Sequence, residues 1–147
     1  ELNYQQQFRF LPAPFDGFGV GATVTLTDSE VDVPGRGKLA LPRQSDLVWG
    51  LQLFYQGYGF EGSISYQDTS EYLDTVAATQ QFDTYFNQFR RLGAKLSYAI
   101  APNAAVFIEG QNLNDEVLWE YQGARPDWQI GYERYGRTLY LGVTASF

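Results

Sequence analysis

Between Leu139 and Phe147 apolar side chains take every second position: Leu139, Leu141, Val143, Ala145 and Phe147, with Tyr140, Gly142, Thr144 and Ser146 between them. A period of two belongs to a strand whose two faces meet different surroundings. The same period recurs upstream. Leu2, Tyr4, Phe8 and Phe10 form one set, Phe18, Val20, Ala22, Val24 and Leu26 a second, and Leu47, Trp49, Leu51, Leu53 and Tyr55 a third. Phe60, Ile64 and Tyr66 follow, then Leu92, Ala94, Leu96 and Tyr98. A sixth strand, "AAVFIEGQN", has the least clear phase, because Phe107 falls among Ala105, Glu109 and Gln111. The expectation is all-β with seven antiparallel strands, since no helical period competes in strength.

The connections alternate in length. "LPAPFDG", "QGYG" and "IAPN" are tight, whereas the segments near 30–43, 68–83 and 112–135 are long. Short turns at one end and long loops at the other are the pattern of an outer-membrane β-barrel, with apolar-out and polar-in strands of about 9–11 residues. Phe8, Phe10, Phe15 and Phe18 flank one tight turn, and Tyr55, Tyr58 and Phe60 the next, as an interfacial girdle requires. The competing reading is a soluble up-and-down barrel or sandwich with alternate residues turned into a core. The small and polar faces of "GATVTLT" and "EGSISYQ" suit a lumen or a solvated surface equally.

Composition trims the function classes. Aromatics reach 17% against 18% charged residues, too ordered a mixture for a disordered chain. A net charge of -7 argues against a nucleic-acid surface. With neither His nor Cys, the chain carries no zinc site, no histidine triad and no haem ligand, so no metal or cofactor is expected. Carboxylate-only catalysis would need a paired Asp/Glu cleft, which only a structure can show. A non-enzymatic role is expected.

If the tight turns face the periplasm, the first and seventh strands both run inward, placing the N-terminus outside and the C-terminus in the periplasm. Single-chain bacterial barrels have an even strand number of at least about eight. Seven strands cannot close one, and open edges in lipid are untenable. Residues 1–147 are therefore expected to be the C-terminal part of a larger barrel.

The run "LSYAIAPNAAVFIEGQNLNDEVLWEYQG" followed by "YERYGRTLYLGVTASF" resembles the C-terminal end of TonB-dependent outer-membrane receptors of Gram-negative bacteria. The similarity is carried by the turn Ala101-Pro102-Asn103, the "NLND" of Asn112 to Asp115, a Tyr-rich loop, and Gly136-Arg137 opening the last strand. "LPRQS" at 41–45 and "SEYLD" at 70–74 add to it. The resemblance implies a transmembrane β-barrel of about 22 strands around a plug, of which seven would be the last third. It also implies nutrient capture at extracellular loops, most often of a ferric siderophore or similar chelate, with import energised by TonB through a region absent from this chain. The implied partners are outer-membrane lipid, lipopolysaccharide, the plug and the rest of the barrel, and the barrel-assembly machinery. Leu139, Leu141, Val143, Ala145 and Phe147 resemble the terminal signal that this machinery reads. A passive diffusion porin, a carbohydrate-specific TonB-dependent transporter and a soluble β-barrel binding protein are the alternatives.

Local chemistry marks four further places. Asn and Asp cap their own backbone and tolerate left-handed conformations, so "NLND" reads as a strand stop, with a calcium site at Asp115 and Glu116 as the sharper option. Trp119, Tyr121, Arg125, Trp128 and Tyr132 combine aromatics with Arg in the long third loop, so they are ligand-facing candidates, or else they pack that loop. Arg91 and Lys95 point to a lumen, to meet an anion or to pair with Glu61 or Glu109. The loop bearing Glu71, Asp74 and Asp83 has no basic residue and reads as solvated surface, with cation bridging to lipopolysaccharide as an extra.

Overall fold

The structure, a computed structural model, describes residues 1–146; Phe147 of the terminal pattern lies outside them. Seven strands form one antiparallel sheet: β1 (Leu2–Gln7), β2 (Phe18–Leu26), β5 (Leu47–Gly57), β6 (Phe60–Thr69), β9 (Phe89–Ala101), β10 (Ala104–Gln111) and β13 (Thr138–Ala145). They lie side by side in that order. These are the seven alternating segments of the sequence. About two thirds of the chain is strand, and the sheet is open, with β1 and β13 at its edges.

Register aligns the two faces across all seven strands. Leu139, Gly110, Ala94, Ile64, Leu53 and Val20 stand in one cross-strand row, and Leu92, Tyr66, Leu51, Ala22 and Tyr4 in another. The apolar face is uncovered: Leu141 is 85% exposed and Ile64, near the middle of the sheet, 53%. Towards the tight turns the face ends in aromatic pairs, Phe18 with Tyr55 at 4.7 Å and Phe60 with Tyr98 at 4.6 Å. At the loop end Trp49 and Tyr66 stand 5.4 Å apart. On β6 and β9 the same face then turns polar: Asp68, the cross-strand partner of Trp49, pairs with Arg90 at 2.9 Å and accepts from Gln88. Phe60 and Tyr66 are thus about 20 Å apart along one strand.

The sixth strand resolves its own ambiguity. Val106 and Ile108 of β10 share the apolar face with Tyr98 and Leu96, which leaves Phe107 on the polar face. There it lies over Gly142 of β13, its cross-strand partner, where a Cβ would meet the ring at 2.6 Å. A large residue among polar ones is therefore a lid on a glycine, and no phase slip occurs.

Turns follow the expected asymmetry. β5–β6 and β9–β10 close over two residues each, and β1–β2 over a longer stretch holding the 3₁₀ turn Phe15–Gly17. All three long connections emerge at the opposite end. They are not irregular loops, as alternation alone suggests. The first contains the hairpin β3 (Glu30–Val33) and β4 (Gly37–Ala40). The second holds β7 (Tyr72–Thr75) and β8 (Thr84–Phe86), and the third holds β11 (Leu118–Gln122) and β12 (Arg125–Glu133). These last four form a second sheet in the order β12-β11-β8-β7. Its strands are short and come from segments distant in sequence, so they leave little periodic signal to read.

Candidate functional site

The loop end carries most of the residues singled out by sequence, and it is held by side chains. In "NLND" both Asn112, at φ +52°, and Asp115, at φ +56°, adopt the left-handed conformation that stops β10. The segment then takes over the pairing that β10 gives up. Leu113 donates its N–H to the Leu92 carbonyl at 2.8 Å. The Asn114 amide accepts from the Leu92 N–H at 3.0 Å and donates to the Arg90 carbonyl at 2.7 Å. Glu116 accepts the Arg90 N–H at 2.9 Å. One side-chain amide thus stands in for a peptide unit along β9. Asp115 is held by Arg134, which keeps its carboxyl below the usual range. Both carboxylates of the calcium option are engaged in this way, which favours the turn reading.

The acidic second loop corrects its expectation as solvated surface. Asp83 is only 1% exposed. Arg36, at the β3–β4 tip, meets it in two parallel bonds of 2.6 and 3.1 Å and also donates to the Ala77 carbonyl. Asp83 further accepts the Ala77 N–H at 2.8 Å. The Arg36 guanidinium holds the Asp83 carboxyl below the ordinary carboxylate range, against the opposing effect of burial. Asp74 pairs with Arg43 at 3.0 Å, and Glu71 accepts the Tyr121 hydroxyl at 2.9 Å. Each basic or donor partner comes from a different loop, so no local window reveals it. The segments "LPRQS" and "SEYLD" turn out to clasp each other: Arg43 donates its N–H to the Leu73 carbonyl at 2.7 Å, and the Ser45 and Ser70 hydroxyls meet at 2.7 Å.

The five ligand candidates divide. Tyr121 is 3% exposed, stacks on Tyr85 at 5.3 Å and belongs to the packed interior of the second sheet beside Leu73. Burial, then its bond to Glu71, pushes its phenol pKa up. It cannot present a face to a ligand without unpacking, so that expectation is corrected. Trp119 is half-buried at 5.8 Å from Tyr121 and pairs across the strands with Tyr132. Arg125 lies over the Trp128 ring at 4.2 Å and bonds Asp127, and Trp128 and Tyr132 are exposed. Arg125, Trp128 and Tyr132 are the members that stay exposed on the outer strand β12.

Across the polar face of the large sheet, Asn3, Thr23, Gly50, Gln67 and Arg91 make one cross-strand row, and Gln5, Gly21, Gln52, Ser65 and Gly93 the next. They floor a half-open hollow of about 710 Å³. Towards the tight turns Lys95 comes to 3.9 Å of Glu109, the lumen pairing expected, while Glu61 accepts from Gln56 instead. Arg91 faces the Phe89 ring at 5.1 Å and has no ion-pair partner among the described residues. The terminal set Leu139, Leu141 and Val143 is exposed on the apolar face, and Ala145 pairs with Ala104. Comparison with family models, with curated proteins and with solved structures gives no significant match to this chain.

Proposed function

We propose that the chain is a membrane-spanning wall segment of an outer-membrane transporter barrel, with its loop end outside the cell. The observation that carries this reading is the uncovered apolar face of the seven-stranded sheet, banded by aromatics at both ends and closed on β6 and β9 by the Asp68–Arg90 pair. In water such a face would be a large exposed apolar patch of the kind that associates or aggregates. In a bilayer it is the lipid contact of a barrel, whose apolar band is about 25 Å tall. The free edges of β1 and β13 then pair with further strands, since lipid tolerates no open edge.

Within that reading, and by the resemblance to TonB-dependent receptors, the protein captures a scarce nutrient at its outer loops. Arg125, Trp128 and Tyr132 contact it, by cation–π and stacking interactions suited to a planar or anionic chelate such as a ferric siderophore. Import past a plug is energised by TonB through a region outside these residues. By the same resemblance, the sequence pattern Leu139, Leu141, Val143, Ala145 and Phe147 hands the chain to the barrel-assembly machinery, and lipopolysaccharide surrounds the outer half. The experiment is fractionation of the full-length protein from a Gram-negative host. It should sediment with outer membranes, resist alkaline extraction and show heat-modifiable mobility in detergent gels. Recovery as a water-soluble, cooperatively folded protein would overturn the reading.

A further inference from the structure

We infer that the loop-proximal half of the polar face is a binding trough for a hydroxycarboxylate, an oxygen-rich solute carrying a carboxylate. This rests on the reading of that face as a barrel lumen and assigns the solute class. The hollow of about 710 Å³ is of the size that holds a small organic ligand. Its uncharged polar side chains include the amides of Gln5, Gln52 and Gln67 and the hydroxyls of Thr23 and Ser65. Each amide both donates and accepts, and each hydroxyl can do either, which matches a ligand dense in hydroxyl groups. No carboxylate lines the hollow among the described residues, and Arg91 is its one charged side chain.

The two adjacent arginines make the case for an anion. Arg90 points to the apolar face and is satisfied there by Asp68. Arg91 points to the polar face, has no carboxylate partner among the described residues, and stands at the rim of the trough. A guanidinium fork in that position grips a planar carboxylate through two parallel bonds. The other half of the face lacks this asymmetry: Lys95 lies beside Glu109, and Glu61 shares the same wall. An anion is therefore drawn to the loop end, where a solute arriving from outside first meets the lumen.

The test is calorimetric titration of the full-length protein, extracted from outer membranes in detergent, with sodium gluconate and glucosamine. Gluconate should bind and glucosamine should not. Arg91→Gln should weaken binding by about tenfold or more, the loss of a charge-assisted bidentate contact. Lys95→Gln should leave it unchanged. Gln67→Leu, which keeps the charge and removes the amide, should weaken it about three- to tenfold and serves if Arg91→Gln fails to assemble. No binding of gluconate by an assembled barrel, equal binding of glucosamine, or undiminished binding by both variants would overturn the trough alone. A chain that never enters the membrane would overturn the barrel reading and the trough with it.

Discussion

The large sheet and the loop cap solve opposite problems with the same secondary structure. The sheet is held by backbone ladders running across seven strands, and its apolar side chains stand uncovered. The cap has short strands and irregular registers, yet it contains the buried apolar side chains, Leu73 and Tyr121, and the most deeply buried carboxylate, Asp83. On the membrane reading proposed above, the difference follows from the surroundings each region meets. A sheet solvated by lipid needs no interior of its own, because hydrocarbon covers its apolar face. A loop assembly in water must make its own interior, and with so few apolar residues it ties its strands together by desolvated polar pairs. Arg36–Asp83 joins the first loop to the second, Tyr121–Glu71 and the Gly123 N–H on the Asp83 carbonyl join the second to the third, and Asn114 joins the third to β9.

The contrast breaks first at Asp83. Asp83→Ala strips the Arg36 guanidinium and the Ala77 N–H of their acceptor, at a cost of about 3–5 kcal/mol to the cap. Hydrogen exchange should show residues 72–86 losing protection while β5 and β6 keep theirs. Replacing both partners, Arg36→Met with Asp83→Leu, should restore part of the protection, since the unpaired guanidinium is gone while the Ala77 N–H and carbonyl stay without their side-chain partners. The pH dependence has a definite sign. The Asp83 pKa is lowered in the fold, so its contribution is complete above the unfolded carboxylate pKa of about 3.9 and is lost as pH falls through the lower folded value. Proteolysis of the loops should accelerate only in strong acid, and in Asp83→Leu with Arg36→Met it should lose that acid dependence.

The sheet breaks by the opposite kind of change. Leu53→Arg places a charge on the central row of the apolar face and should cost about 2–4 kcal/mol in a bilayer. Ile130→Arg, at a similarly exposed apolar site on the outer strand β12, should cost less than about 0.5 kcal/mol. Urea titration in lipid vesicles measures both. Equal costs would mean that both regions face the same solvent.

How far each region could be read beforehand follows from the range of its interactions. Alternation in 18–26, 47–55 and 92–98 is local, and it placed the strands, the two faces and the short and long connections. "NLND" acts within a few residues, and its left-handed Asn112 and Asp115 follow from the side chains themselves. The cap does not work that way. Arg36 and Asp83 are 47 positions apart, and Tyr121 and Glu71 are 50 apart. Nothing in "TQQFDT" marks Asp83 as buried or Tyr121 as interior, because the burial is created by strands from the other loops.

Where the cap is anchored to the sheet, the loss should be intermediate. Asn114→Ala leaves the Leu92 N–H and the Arg90 carbonyl without their side-chain partner, at about 2 kcal/mol. Exchange should rise at Arg90 and Leu92 and in 112–116, while the Asp83 cluster stays protected. Asn114→Asp separates the two halves of the bond pair, because a carboxylate accepts from Leu92 but cannot donate to Arg90.

The smallest effects sharpen the comparison furthest, because they test packing without charge or hydrogen bonds. Gly123 in the cap sits at φ +68°, and a Cβ there meets the Gln81 carbonyl oxygen at 2.9 Å. Gly123→Ala combines a left-handed backbone with a backbone neighbour that cannot turn aside, so it should cost about 1–2 kcal/mol. Gly142 in the sheet presents a closer obstacle, the Phe107 ring at 2.6 Å, but the obstacle is a side chain on the open polar face. Phe107 can swing away from β13, so Gly142→Ala should cost less than about 1 kcal/mol despite the shorter distance. Thermal melts of the two variants in detergent give the ranking. If Gly142→Ala proves the more damaging, the polar face is filled at that point, and the sheet there is packed as tightly as the cap.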